Sequence, residues 1–270
     1  MASPVFRSGK EFKQDATFDQ QGNVVTVAQL EAQYAAPSAT AVETGRMSYE
    51  GTIAKTAGIA ILAGIVAVPG YLFPNTGLMV VGAIVGFVLS LVIIFRRKAS
   101  PALIAIYAVA EGYFLGAITS YVETSFNVPG AGLQALLATA ITFAVCLTLY
   151  RTGAVRYTSK MRKFMLIGFV AYGAFSLVNL GVMIFGSSDS AWGLRSSVTV
   201  FGMPLGVVIG VFAVLLACMS LISDFDFIEN AVKNGAPINV EWKAAFGLIV
   251  TLVWLYIEFL RIIALVMGRR

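Results

Sequence analysis

GLMVVGAIVGFVLSLVIIF, residues 77–95, is a run of nineteen residues without one charged side chain. A helix of about twenty apolar residues crosses the ~30 Å hydrocarbon core of a bilayer. This run therefore reads as a transmembrane helix. One similar run precedes it, Ile53–Phe73. Five follow: Ala102–Tyr121, Gly132–Tyr150, Phe164–Phe185, Ser197–Ile222 and Ala244–Met267. Helices satisfy their own backbone hydrogen bonds, which lipid cannot do for them. A membrane β-barrel would show alternating segments of ~10 residues instead, and the sequence has none. The expected fold class is all-α, a polytopic membrane bundle of seven transmembrane helices.

The bulk composition agrees. Of 270 residues, 58% are hydrophobic and 12% charged, against about 25% charged in soluble domains. Mean hydropathy is +0.83. The apolar surface needs a lipid bilayer as its partner. The net charge of +5 does not point to nucleic acid, because no basic face interleaved with exposed aromatics appears. The basic residues sit instead at the ends of apolar runs, as cytoplasmic loops require.

Turn signals separate the runs: Pro74-Asn75, Asn127-Val128-Pro129-Gly130, Gly186-Ser187-Ser188-Asp189-Ser190 and Asn234-Gly235-Ala236-Pro237. Residues 1–50 form a polar tail whose composition predicts disorder, with Val24 to Ala36 as a candidate surface helix. Residues 51–270 form the transmembrane domain. The tail has no apolar h-region, so the first span is expected to act as the insertion signal.

Placing the N-terminus inside puts Arg7, Lys10, Lys13, Arg46, Arg96, Arg97, Lys98, Arg151, Arg156, Lys160, Arg162, Lys163, Lys233 and Lys243 on the inner side. Only Arg195, Arg269 and Arg270 then lie outside, while Lys55 and Arg261 fall within spans. This asymmetry predicts a cytoplasmic N-terminus and, after seven spans, an external C-terminus.

Small residues four apart, Gly82 and Gly86, Gly112 and Gly116, Gly206 and Gly210, predict close helix packing. Pro69 and Pro204 are expected to kink their helices. Cys146 and Cys218 lie in apolar runs and read as buried apolar residues rather than a disulfide framework. The chain has no histidine. That removes histidine bases, histidine metal ligands and their enzyme chemistry. No nucleophile elbow or paired-aspartate protease motif is present, so no catalytic residue and no resident cofactor is expected.

An ionisable residue at membrane depth marks a functional candidate. Glu111 sits mid-span, more than ten residues from the nearest charge, so it must face the interior, be protonated, or find a partner on another helix. Asp224 and Asp226 lie at the inner end of the sixth span. Two residues apart on a helix, they point ~200° apart. Asp224 is the expected inward one, and Glu229 is expected to be solvated. The last span carries Thr251 and Glu258 seven apart on one face, with Arg261 three beyond Glu258 and able to pair with it. A helix with such a polar stripe belongs at the bundle's centre.

Three stretches together resemble the Bax inhibitor-1 family of membrane proteins, and more closely its bacterial branch. They are Ala108-Val-Ala-Glu111-Gly112-Tyr-Phe-Leu-Gly116, Ser220-Leu-Ile-Ser-Asp224-Phe-Asp226-Phe-Ile-Glu229, and Thr251-Leu-Val-Trp-Leu-Tyr-Ile-Glu258-Phe-Leu-Arg261-Ile-Ile. The resemblance covers residues 50–267. It implies six helices around a central seventh, a bacterial plasma membrane, and a pH-sensitive calcium leak. In that family an aspartate ending helix six and another in helix seven form the pH sensor, held by an arginine at the inner end of helix two. Asp224 matches the first aspartate, and Arg96 or Arg97 matches the arginine. Thr251 stands where the second aspartate belongs. The sensor is then absent, shifted, or rebuilt with Asp226, Glu111 or Glu258.

Two function classes follow. One is a passive cation pathway, gated by carboxylate protonation, in which protons are the gating ions. Ca²⁺, a hard ion that takes oxygen ligands, would be its cargo, with Asp224 as a candidate ligand. The other is a non-transporting regulator that binds a membrane-protein partner such as a protease or stress component. A leak conducts when purified into liposomes; a regulator does not.

Overall fold

The computed structural model describes residues 17–18, 24–25, 44–96, 99–185, 193–200 and 202–268. Two units emerge, Met1–Thr44 and Gly45–Arg270. In the first, β1 (Thr17–Phe18) pairs antiparallel with β2 (Val24–Val25). The expected tail helix over 24–36 therefore begins as strand, and its remainder lies outside the described residues. So does most of the segment expected to be disordered.

The second unit holds seven long helices: α1 (Tyr49–Leu72), α2 (Thr76–Phe95), α3 (Pro101–Ser125), α4 (Ala131–Arg151), α5 (Ser159–Phe185), α6 (Leu205–Lys233) and α7 (Val240–Met267). All seven are long and apolar enough to cross a membrane. Their starts follow local chemistry. Ser48 caps α1 by accepting from the Gly51 amide, and Asn75 caps α2 by accepting from the Leu78 amide at 3.0 Å. Pro101 opens α3 at a position where its missing N–H costs nothing. Gly130, in the left-handed region at φ 78°, turns the chain into α4.

The sixth span differs most from its expected bounds. It starts eight residues later, at Leu205, and runs eleven further, to Lys233. Instead β3 (Thr199–Val200) pairs antiparallel with β4 (Met203–Pro204) as a short hairpin. Pro204 is thus the N-cap of α6 and not a kink within it. The far end overshoots because hydropathy finds where apolar residues stop. A helix continues as long as its backbone bonds can form, and the Asp224 to Lys233 segment does so as a polar extension. Pro69 does lie inside α1, which continues past it to Leu72.

α7 is the central helix. It contributes to all three hydrophobic clusters. Ala244, Leu248 and Leu255 join α4 and α6. Ala245, Phe246 and Ile249 join α1, α2 and α3. Leu260 and Ala264 join α3 and α4. Trp254 meets Phe169 and Tyr172 of α5, each at a ring distance of 5.5 Å. The outer helices carry the opposite pattern, with Ile61, Ile65, Phe87, Phe95, Ile167 and Leu177 exposed. These faces require hydrocarbon around them. On α3, Gly112 and Gly116 let α1 approach until the Ala63 and Ala67 carbonyls occupy the space a Cβ would need.

Candidate functional site

The seam between α6 and α7 is polar at both ends and apolar between. Near the α6–α7 loop, the Thr251 hydroxyl donates to Asp224 Oδ2 at 2.9 Å. Ser220, one turn before Asp224 on α6, lies 3.3 Å from the Thr251 oxygen. A hydroxyl has one proton to give. With Thr251 donating to the carboxylate, Ser220 is left to donate to Thr251, and the three form a relay. Asp224 Oδ1 turns toward Gly247, whose lack of a side chain leaves room there. Among the described residues no cation pairs with Asp224.

Asp226, on the opposite side of α6, meets α4: Tyr150 donates to Oδ1 at 3.5 Å, and Asn230 to Oδ2 at 3.0 Å. The expected divergence of the two aspartates is thus what the helix does. Glu229 is not simply solvated. It is bound by Tyr150, by Lys233 and, at 3.5 Å, by Arg156. This set ties the end of α6 to α4 and to the loop after it.

The other end of the seam holds Glu258, fully buried. Arg261 Nη1 reaches its Oε1 at 2.7 Å, and Arg195 Nη1 lies 3.8 Å from the same oxygen. Tyr172 of α5 also donates to that oxygen. Arg195 is 4% exposed. It stacks over Tyr172 and Phe175 at 5.2 and 5.5 Å and donates to Ser176 at 3.0 Å. It comes from a single helical turn, Leu194–Ser197, between α5 and α6. A loop cation is thereby drawn into the bundle beside a buried carboxylate, which needs a paired charge to stay ionised there.

Between these ends, Ala213, Leu216 and Ala217 of α6 and Leu255 of α7 are all 0% exposed. Gly210 lies against Ile262, with Glu258 beside it, and Ser220 faces Thr251. Ala217 and Leu255 share one hydrophobic cluster between the two polar ends, while Leu216 packs against Gly168 of α5.

Glu111 stands apart from both. It is 8% exposed, and its carboxylate fills the space left by Gly86 of α2. Among the described residues it has no hydrogen-bond or ion-pair partner. Arg96 is exposed and forms no ion pair among the described residues; Arg97 lies outside them. The structure thus brings Asp224 to Thr251 and Glu258 to Arg261, and leaves Asp226, Glu111 and Arg96 elsewhere.

Sequence reasoning missed Arg195 and its α5 partners. The signal was there in Tyr172 and Ser176, four apart on one face of an apolar helix. It also missed Glu241, 1% exposed and bound by Lys55 and Ser48.

A family model described as Bax inhibitor 1 like matches residues 3–268. The match reaches well into the N-terminal tail, beyond the 50–267 stretch that carried the resemblance. No curated protein matches the chain.

Proposed function

From the premise that this chain belongs to the Bax inhibitor 1 like family, we propose that it is a calcium leak of the bacterial plasma membrane, gated by carboxylate protonation. The observation that carries the reading is Asp224, a carboxylate at the loop end of the α6–α7 seam, held by the Thr251 hydroxyl at 2.9 Å. An ionised carboxylate there attracts a divalent cation and offers it oxygen ligands, as does Thr251. Protonation removes that charge. Ca²⁺ is cargo on this reading, the protein needs no resident cofactor, and its residues do no covalent chemistry. The N-terminus is cytoplasmic and the C-terminus external.

The sensor differs from a two-aspartate pair. Thr251 cannot share a proton with Asp224 as a second carboxylate would. It can only orient the one that is present. A single carboxylate then sets the pH response, and the arginine role assigned to Arg96 has no support in the geometry.

The test is Ca²⁺ flux into liposomes holding the purified protein between pH 6 and 8, beside Asp224→Asn. The expected result is flux whose pH dependence disappears in the variant, since asparagine keeps an acceptor for Thr251 and loses the titrating group. Flux that ignores pH in both proteins would keep the pathway and discard the sensor. No flux at any pH from folded protein would sink the leak and favour a regulator acting through a membrane-protein partner.

A further inference from the structure

The chain just before α1 does not leave the bundle directly. Residues 45–48 lie across the α6–α7 loop as a short antiparallel pairing. The Ile238 amide donates to the Gly45 carbonyl at 2.9 Å, and the Met47 amide donates to the Ala236 carbonyl at 2.7 Å. Arg46 faces Pro237 between these bonds. Ser48 then anchors to the first turn of α7, its amide and hydroxyl donating to Glu241 Oε1 at 2.8 and 3.1 Å. Lys55 pairs with the other Glu241 oxygen and lies 5.4 Å from the Trp242 ring centre.

Met47 is the one side chain this segment buries deeply, at 2% exposure. It enters the cluster that contains Phe225 and Ile228 of α6 and Ala244 and Leu248 of α7. Ile228 is one turn beyond Asp224, toward the loop. Ala244 is two turns before Thr251 on the same face of α7, and Leu248 one turn before. Met47 thus starts at the loop through its backbone bond to Ala236 and joins a cluster whose members Ile228 and Ala244 lie between the loop and the Asp224–Thr251 pair. A flexible thioether suits an irregular gap between two helices, and polar bonds on both sides hold it there.

We propose that residues 45–48 are an inner strap, with Met47 as its plug, that closes the Asp224–Thr251 site to the cytoplasm and releases it when the strap lifts. The proposal rests on the leak reading for its biological meaning but not for its test. The strap is held by two backbone bonds and the Glu241 contacts, so it can lift without unfolding a helix. Lifting it removes the apolar cover from the loop side of Asp224. It leaves the Ala217 and Leu255 packing and the Arg195–Glu258 contact in place. The strap thus controls access to the site from one side only.

The test measures access directly. In full-length protein carrying Cys146→Ala and Cys218→Ala, Gly247→Cys places a thiol beside Asp224, where a Cβ meets Oδ1 at an ordinary 3.6 Å. A membrane-impermeant cationic methanethiosulfonate is applied from the inner side. It reaches the thiol only in the open fraction, so adding Met47→Ser should raise the labelling rate about tenfold if the open population rises tenfold. The reverse variant guards against misfolding. Arg46→Cys with Pro237→Cys occupies a non-hydrogen-bonded antiparallel pair, whose Cα spacing of about 4.5 Å suits a disulfide. Oxidised, that pair should slow labelling below the background protein, and reduction should restore it. Unchanged rates in both variants would overturn the strap. Rates that move as expected without Ca²⁺ flux at any pH would keep the strap and sink the leak.

Discussion

At the residue scale the centre of interest is Thr251. Its hydroxyl sits 2.9 Å from an Asp224 oxygen, so Thr251→Asp would set two carboxylates against each other. Two close like charges cannot both ionise easily, and the pair takes up a proton at higher pH than one carboxylate alone. The expected outcome is a Ca²⁺ flux profile whose midpoint moves upward in pH relative to the parent protein. An unchanged midpoint would show that Asp224 is not the titrating group. Glu258 offers a test of stability rather than gating. Glu258→Ala removes the carboxylate shared by Arg261 and Arg195 and leaves buried guanidinium charge uncompensated, at a cost of about 3–5 kcal/mol. Glu258→Gln keeps an acceptor and should cost less. Thermal unfolding in detergent, followed by tryptophan fluorescence, would rank the two. Equal melting temperatures for both variants and the parent would show that the outer cluster does not hold the bundle.

At the element scale the packing of α1 on α3 sets the tolerances. A Cβ added at Gly116 would collide with the Ala67 carbonyl, which is backbone and cannot swing aside. Gly116→Ala should destabilise by about 1–3 kcal/mol through overpacking. Gly64 on α1 meets nothing within 4 Å. Gly64→Ala should leave the melting temperature unchanged or raise it, since alanine is the better helix former. A melt that fell equally for both would refute the idea that α1–α3 proximity, rather than glycine itself, is what matters. The same logic separates α6 from the other helices. Its polar extension from Asp224 to Lys233 is held by Tyr150, Arg156 and the strap rather than by hydrocarbon.

At the scale of the whole molecule, an odd number of spans predicts termini on opposite sides. The Lys and Arg asymmetry predicts an N-terminus inside. A reporter active only outside the cytoplasm should work when fused after residue 270 and fail when fused before residue 1. The opposite result would invert the strap's side along with the topology.

The sequence by itself determined the class, the number of spans and the central place of α7. Those depend on how apolar residues run along a chain and on where Thr251 and Glu258 fall on one helical face, and both are local properties. It also showed Asp224 and Asp226 diverging, because helix geometry alone separates them. It did not show where α6 begins and ends, because hydropathy takes the apolar residues before Leu205 into the span and leaves the polar extension out of it. Only the tertiary structure decided which groups meet. Thr251 takes the place beside Asp224, Arg195 reaches Glu258 from a loop, Glu111 rests against Gly86, and Met47 fills the gap beneath the seam. The partners in these pairs lie between 25 and about 200 positions apart in the chain. Nothing in the local pattern of one partner encodes the other, and only the packing of the helices brings them together.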